Sequence, residues 1–285
     1  MWPGGLVLAL LLVVLALLRH GYSGFGEIGQ GIYIEAWGTV FDILLVGIIL
    51  AFFAFVRVRK ERIDRYLEEI DDFKKWDSEE GRLRIAGNIR RLAKLGKTDI
   101  DFSGLVLRNI SFGDQDIESL REATFCLGLR LDKMSKNSTQ LENVGFSYVD
   151  CRGVTFSKNV GDFAGLGLVG KNLYFIDANL IGACFDGAIL TWTDYKANRD
   201  DWYQDMGEDE DGRPMQRQVY HPAFSGAKLS RCSFRYIKFD HADFRDADNV
   251  LEADFTGAKG LETCFFDDDV REQILTAAAG ASDTD

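Results

Sequence analysis

The feature that most constrains this chain is a large apolar residue that returns every five positions in residues 173–195. The recurring residues are Phe175, Leu180, Phe185, Leu190 and Tyr195. Neither regular element gives this period, because an α-helix repeats roughly every 3.6 residues and a β-strand about every 2. Five residues must therefore form one complete structural step, a short extended piece and a turn. Self-similarity of this kind predicts a solenoid.

The same period runs through most of the chain. We place 24 centres, of which 21 are Phe, Leu, Ile or Tyr. In the first stretch, a smaller or apolar residue lies two positions before each centre: Leu173, Ala178, Ala183, Ala188 and Thr193. The remaining centres are Phe102, Leu107, Phe112, Ile117, Leu141, Phe146, Cys151, Phe156, Phe163, Leu168, Phe224, Leu229, Phe234, Phe239, Phe244, Asn249, Phe255, Gly260 and Phe265.

Several units read ANL (178–180), AKL (227–229) or ADF (242–244 and 253–255), and residues 99–266 resemble the pentapeptide-repeat family. The resemblance implies a mainly β fold, a right-handed quadrilateral β-helix with four pentapeptides per coil. The large residue and the small one two positions before it would both point inward. Dividing 24 centres by four gives six coils, or a rod of roughly 29 Å at about 4.8 Å per coil. The resemblance implies little about function.

The repeat is interrupted twice. Between Ile117 and Leu141 the sequence allows either a distorted coil around residues 123–127 or a protruding loop. The larger break, residues 196–223, mixes acidic and aromatic residues, and a long loop in a solenoid is often functional or disordered. It is either a partner surface or a decorative insertion. The candidate partner-binding residues are Asp200, Asp201, Trp202, Tyr203, Asp205, Glu208, Asp209, Glu210 and Asp211.

Helices are expected at both ends of the repeat domain (residues 98–266). In residues 57–97, an apolar stripe from Ile63 to Trp76 has helical spacing, and a second helix from Ser78 to Gly96 would cap the rod. The stripe could pack on a membrane, on the rod or on another copy. In residues 267–285, Asp269 and Glu272 form a capping box that would open a C-terminal capping helix. The resemblance implies that such a helix can also mediate dimerisation.

Residues 1–56 predict a two-span α-helical transmembrane hairpin. Residues 2–18 carry no charge and residues 36–56 carry one, Asp42, so both approach the length that spans a bilayer. A signal peptide is the alternative for residues 2–18. The basic cluster after the second span marks the cytoplasmic side, which would place residues 19–35 outside and both termini and the β-helix in the cytoplasm, at a bacterial inner membrane. The cluster comprises Arg57, Arg59, Lys60, Arg62 and Arg65.

Two features of the hairpin have alternative interpretations. Asp42 is an intramembrane polar residue and so a functional candidate, or an interfacial group seven residues after Glu35. Residues 24–29 match G-x-G-x-x-G, but a dinucleotide site needs a strand before it and a helix after it. Because apolar spans flank this motif, it predicts a flexible glycine-rich connection.

Charge and cysteine usage restrict the function. Residues 1–98 carry 14 basic and 12 acidic residues, a net +2, and the remainder carries 19 and 33, a net −14. An acidic rod repels nucleic acid, so no direct nucleic-acid binding is expected. Five cysteines without a C-x-x-C pair indicate a reducing compartment and no disulfide framework. No catalytic, metal-ligating or cofactor motif is found, which predicts a non-enzymatic protein.

The favoured interpretation is a membrane-anchored scaffold that presents an acidic β-helix to an unidentified protein partner. Two alternatives remain. One is a DNA mimic that binds a topoisomerase, since the resemblance includes acidic rods of that kind. The other is an oligomeric membrane effector or channel formed by the hairpins, which would make the protein a homo-oligomer.

Overall fold

The computed structural model describes residues 26–126, 139–158, 167–208, 214–218 and 220–280. The chain divides into two compact units, Met1–Arg62 and Ile63–Asp285. The described helices are α1 (Gly26–Phe73), α2 (Glu79–Lys94) and α3 (Asp268–Gly280). The described strands are β1 (Val106–Ser111), β2 (Thr139–Gly145), β3 (Thr155–Lys158), β4 (Leu168–Tyr174), β5 (Cys184–Asp186), β6 (Ile189–Thr191), β7 (Tyr203–Glu208), β8 (Pro214–Gln218) and β9 (Lys238–Asp240).

The repeat domain is a parallel β-helix. Strands β1, β2, β4, β6 and β9 form one sheet in that order, and every pair in it is parallel. Leu107 lies opposite Leu141 and Leu190 lies opposite Phe239, so the chain returns to the same face after each coil. Strands β3 and β5 pair in the same sense on another face. The predicted solenoid is confirmed.

Two columns of phenylalanine rings fill the interior of the β-helix. Within the first column the ring centroids are 4.3–5.1 Å apart, and within the second they are 4.5–5.2 Å apart. These distances are close to one strand spacing, about 4.8 Å, so each ring belongs to one coil and the described coils number six. The columns are Phe102, Phe125, Phe156, Phe185, Phe234 and Phe255, and Phe112, Phe146, Phe175, Phe224, Phe244 and Phe266.

Three predicted centres near the C-terminal end are wrong by one residue. The buried residues are Val250, Leu261 and Phe266, not Asn249, Gly260 and Phe265. Asn249 (φ 58°) and Gly260 (φ 80°) adopt left-handed backbone conformations, and each is followed by a short 3-10 helix, Val250–Glu252 or Leu261–Thr263. Each of these two units therefore contains six residues instead of five. The left-handed residue and the tight turn accommodate the additional residue at a corner of the coil.

Tyr195 is also not an inward residue. Its side chain is 37% exposed, because the chain leaves the β-helix after it, whereas Trp192 is buried (3% exposed). The Trp192 indole donates a hydrogen bond to the Leu173 carbonyl, 2.8 Å away. Thr193, expected to point inward two positions before Tyr195, is exposed instead.

The first interruption of the repeat contains a distorted coil. Leu120, Ala123 and Phe125 are fully buried, and Thr124 forms parallel bridges with Asp101 and Thr155 of the neighbouring coils. Residues 127–138 and the predicted centre Phe163 lie outside the described residues.

Helix α2 caps the first coil. The Ser78 hydroxyl accepts a hydrogen bond from the Gly81 amide at 3.0 Å, which fixes the start of the helix. The buried face of α2, which includes Ile85 and Leu92, belongs to the same apolar core as the phenylalanine columns. The stripe that begins at Ile63 packs on this core too, and α1 ends at Phe73 rather than at the predicted Trp76.

Helix α3 covers the last coil, with Ile274 3% exposed. The predicted capping box at Asp269 and Glu272 is wrong. The Asp267 carbonyl accepts the first helical hydrogen bonds, from the Val270 and Arg271 amides at 3.1 and 3.2 Å, so the helix begins two residues earlier than the predicted cap. Residues 281–285 lie outside the described residues.

Helix α1 runs without interruption from Gly26, so the connection predicted over residues 19–35 is helical from residue 26 onward. Glycine lowers helix propensity by only about 1 kcal/mol per residue, which the surrounding helix tolerates. Among the described helices one, over Trp37–Phe73, is long and apolar enough to cross a membrane by length and composition. Residues 2–18, the first predicted span, lie outside the described residues.

Candidate partner-binding insertion

The insertion of residues 196–223 leaves the β-helix after Tyr195 and returns at Phe224, whose ring resumes its column. It contains a short 3-10 helix, Arg199–Trp202, and the antiparallel hairpin of β7 and β8. In the hairpin, Tyr203 lies opposite Gln218 and Asp205 lies opposite Gln216. The sequence alone left open whether this segment was decorative, and in the structure it has its own secondary structure.

Trp202 belongs to the interior of the insertion root, not to a contact surface. It is 2% exposed, and its ring centroid lies 4.9 Å from the Arg199 guanidinium carbon and 4.6 Å from that of Arg245. The Tyr220 ring is 5.8 Å away. The Trp202 side chain is therefore enclosed in the structure rather than exposed for a partner, and its role in partner binding stays a prediction.

A buried ion pair fixes the outgoing arm of the insertion. The Arg245 Nη2 and Asp243 Oδ2 atoms are 2.5 Å apart, and the two side chains are 7% and 1% exposed. Arg245 also donates to the main-chain carbonyls of Ala197 at 3.0 Å and Lys196 at 2.6 Å. These residues begin the insertion, so Arg245 couples the start of the loop to the coil below it.

Tyr220 fixes the returning arm to the same carboxylate. Its hydroxyl donates to Asp243 Oδ2 at 3.0 Å. Burial, and then the nearby Asp243 charge, raise the pKa of Tyr220 well above its ordinary value. The phenol is therefore a permanent donor at neutral pH. We refer to Arg199, Trp202, Tyr220, Asp243 and Arg245 as the insertion root.

Arg199 links the root to the last coil. Its Nη2 lies 2.6 Å from Asp267 Oδ1 and 3.1 Å from Asp246 Oδ1. Its side chain is half exposed, so these pairs contribute little to stability. They orient the guanidinium that covers Trp202.

The hairpin beyond the root is exposed and polar. Tyr203 is 46% and Met206 is 52% exposed, and Asp200, Asp201 and Asp205 are also exposed. Glu208 ends β7, whereas Asp209, Glu210 and Asp211 lie outside the described residues. The described acidic candidates thus lie on one small segment, whereas Trp202 lies buried beneath it.

Asp42, the remaining candidate, lies elsewhere, on α1 in the first unit, where it is exposed. The sequence analysis missed Asp243 and Arg245, since both flank a centre, at positions that normally face solvent. The sequence contains one signal for Asp243 and Arg245: opposite charges flank Phe244, in the coil to which the insertion returns.

The described cysteines suit a packing role. Burial raises the pKa of the Cys151 and Cys232 thiols and raises that of Cys264 to about 12. These thiols stay protonated at neutral pH, and the thiolate is the reactive form. Within the described residues, no group of three or more His, Cys, Asp or Glu side chains is placed to hold a metal ion.

Comparison with known proteins agrees with this architecture. Residues 224–259 match the family described as pentapeptide repeats, in eight copies. This part of the chain consists of pentapeptide repeats. Proteins of this family are generally protein-interaction or scaffold modules.

Two solved structures are similar to this chain. One is Rfr23 from the cyanobacterium Cyanothece 51142, at 13% identity and a TM-score of 0.29, covering 64% of this chain and 99% of that one. The other is HetL from the cyanobacterium Nostoc sp. strain PCC 7120, involved in the regulation of heterocyst differentiation, at 15% identity and a TM-score of 0.16, covering 63% and 93%. Comparison with curated protein sequences gave no match.

Proposed function

We propose that this pentapeptide-repeat protein is a non-enzymatic, membrane-anchored scaffold whose insertion hairpin binds the basic surface of a protein partner. The observation that carries the proposal is the insertion root. A buried Arg245–Asp243 pair, a tyrosine and an enclosed tryptophan hold both arms of the loop. An insertion without a function would not need these buried contacts. A binding loop benefits from them, because a loop that is already rigid loses less conformational entropy on association.

The charge of the hairpin defines the kind of partner. Residues 205–213 carry five acidic residues and one basic residue, a net −4. Clustered charge of one sign steers an oppositely charged protein and disfavours a similarly charged one. A basic protein surface therefore suits this segment.

Anchoring is proposed from the apolar part of α1. The window that qualifies as a membrane span is 6% buried, and its large side chains are exposed, which suits contact with lipid. We propose residues 2–18 as a second span, with the basic residues after Val56 in the cytoplasm. Both termini and the β-helix would then be cytoplasmic.

The distribution of charge favours the scaffold over the DNA mimic. Residues 139–158 carry two acidic and two basic residues, a net charge of zero, while residues 267–285 carry six and one, a net −5. The five-stranded face presents Lys171 and Lys238, which are exposed. A duplex mimic needs negative charge repeated along its length. Inhibition of DNA supercoiling by the full-length protein would favour the mimic instead.

The test compares two variants of equal charge change. E208Q/D209N/E210Q/D211N neutralises the four acids of residues 208–211, and D114N/E118Q/E252Q/E262Q neutralises four exposed acids of the coils. Proteins that co-purify with the wild type in mild detergent are quantified by mass spectrometry. We expect a specific protein to be lost at least tenfold from the first variant and retained by the second. Equal recovery with both variants would contradict the proposal.

A further inference from the structure

Four cationic side chains come directly after the apolar part of α1. They are Arg57, Arg59, Lys60 and Arg62, which we call the basic collar. We propose that the basic collar binds the phosphate headgroups of anionic phospholipids. The inference rests on the proposed membrane anchoring and adds to it a preference among lipids.

The collar surrounds the helix. Successive residues of an α-helix are about 100° apart around its axis. Taking Arg57 as the origin, Arg59, Lys60 and Arg62 lie at roughly 200°, 300° and 140°. A helix that lies on a membrane places its cations on one polar face. A ring of cations instead suits a helix that passes through the headgroup layer and meets lipid on every side.

The height of the collar matches that layer. The distance from Arg57 to Arg62 along the axis is about 7.5 Å at roughly 1.5 Å per residue. The headgroup region on each side of a bilayer is roughly 5–8 Å thick. When Val56 lies at the edge of the hydrocarbon, all four cations fall among the phosphates.

The side chains of the collar are accessible to lipid. All four side chains are exposed, and one acidic residue lies among them, Glu61, which gives residues 57–62 a net +3. The Arg57 Nε and Glu61 Oε1 atoms are 2.8 Å apart, but the Arg57 side chain is 81% exposed. Such an exposed pair is weak and leaves the guanidinium able to contact a phosphate.

The region beyond the collar has a different role. From Ile63 onward α1 packs on the core of the β-helix, and Ile70 is 1% exposed. The apolar residues before Arg57 suit hydrocarbon. The basic collar lies between these two parts of α1 and belongs to neither the packed part nor the apolar part. At this position its cations attract anionic headgroups.

The test uses the full-length protein in neutral detergent, titrated with phosphatidylglycerol or with phosphatidylcholine, and native mass spectrometry counts the bound lipids. We expect at least tenfold tighter binding of phosphatidylglycerol, since each cation near a lipid surface contributes roughly fivefold. R57Q/R59Q/K60Q/R62Q should reduce this preference to less than about twofold, because glutamine keeps the helix propensity and removes the charge.

The matched control is K171Q/K228Q/K238Q/K259Q, which removes four exposed cations from the coils. It should retain the preference. The proposal is overturned if the wild type has no preference, if the collar variant retains it, or if the control loses it equally. Glycerol 3-phosphate at millimolar concentration should not compete, and displacement by it would assign the collar to a free phosphate ligand instead.

A separate measurement distinguishes failure of this inference from failure of the anchoring proposal. Cell membranes that contain the full-length protein are extracted at alkaline pH. Release of the protein would contradict anchoring itself. Retention in the membrane without a lipid preference would contradict the basic collar alone.

Discussion

Trp202 and Tyr203 are neighbours in the chain and have opposite environments. Trp202 is 2% exposed and lies between two guanidinium groups, whereas Tyr203 is 46% exposed on the hairpin. Both belong to the same mixture of aromatic and acidic residues. The difference shows that such a segment has two parts, a root that fixes it to the β-helix and a hairpin that is available for contacts.

The largest effect should come from removing Arg245. R245A leaves the Asp243 carboxylate, 1% exposed, without its cation, and losing one member of a buried pair costs about 3–5 kcal/mol. The free energy of unfolding of the full-length protein, followed by tryptophan fluorescence in urea, measures this loss.

The control for Arg245 is R217A, which removes an exposed arginine of the hairpin and should cost less than about 0.5 kcal/mol. R245M/D243L, which replaces the pair by apolar groups, should recover more than half of the loss. A loss below about 1 kcal/mol for R245A would mean that the root does not hold the insertion.

Y220F should have an intermediate effect. It removes the hydrogen bond to Asp243, and hydrogen bonds to charged groups contribute about 1.5–3 kcal/mol. Because the pKa of Tyr220 is raised in the folded protein, its contribution is complete below the ordinary tyrosine pKa of about 10 and is lost as the pH rises above it.

Unfolding between pH 8 and pH 11 tests this dependence. The wild type should lose more stability than Y220F over this interval. Parallel curves for the two proteins would show that Tyr220 ionises as freely in the folded protein as in the unfolded one.

W202F should cost less than about 1 kcal/mol. The Trp202 Nε1 atom is buried and has no hydrogen-bond partner among the residues that the structure describes, so phenylalanine removes an unsatisfied donor while keeping an aromatic ring between Arg199 and Arg245. Thermal unfolding of the two proteins measures the difference. A loss above about 2 kcal/mol would mean that the indole nitrogen is satisfied in solution.

The smallest effect on stability is expected in the hairpin. Y203A and M206A replace exposed side chains and should change the free energy of unfolding by less than about 0.5 kcal/mol. Partner recovery should nevertheless fall with them, in contrast to W202F. An equal fall for all three variants would show that root and hairpin do not act separately.

The five-residue period was sufficient to predict most of the core. The centres from Phe175 to Leu190, and those from Phe224 to Phe244, are all buried, because an inward apolar residue is the one constant requirement of each unit. The candidate site was predicted less well. The acidic residues of the insertion are exposed where the structure describes them, but the charged residues that hold it, Asp243 and Arg245, were missed.

The sequence by itself determined the solenoid, its six coils and the caps at both ends, because these depend on a local pattern that each unit repeats. Only the tertiary structure decided the shift at Val250 and Leu261, where left-handed corner residues absorb an extra position. It alone also decided the burial of Trp202 and the pairing of Arg245 with Asp243. Arg245 and Asp243 are two positions apart, but their burial depends on contacts with Lys196, Trp202 and Tyr220, which lie far from them in the chain, and no local periodicity encodes such contacts.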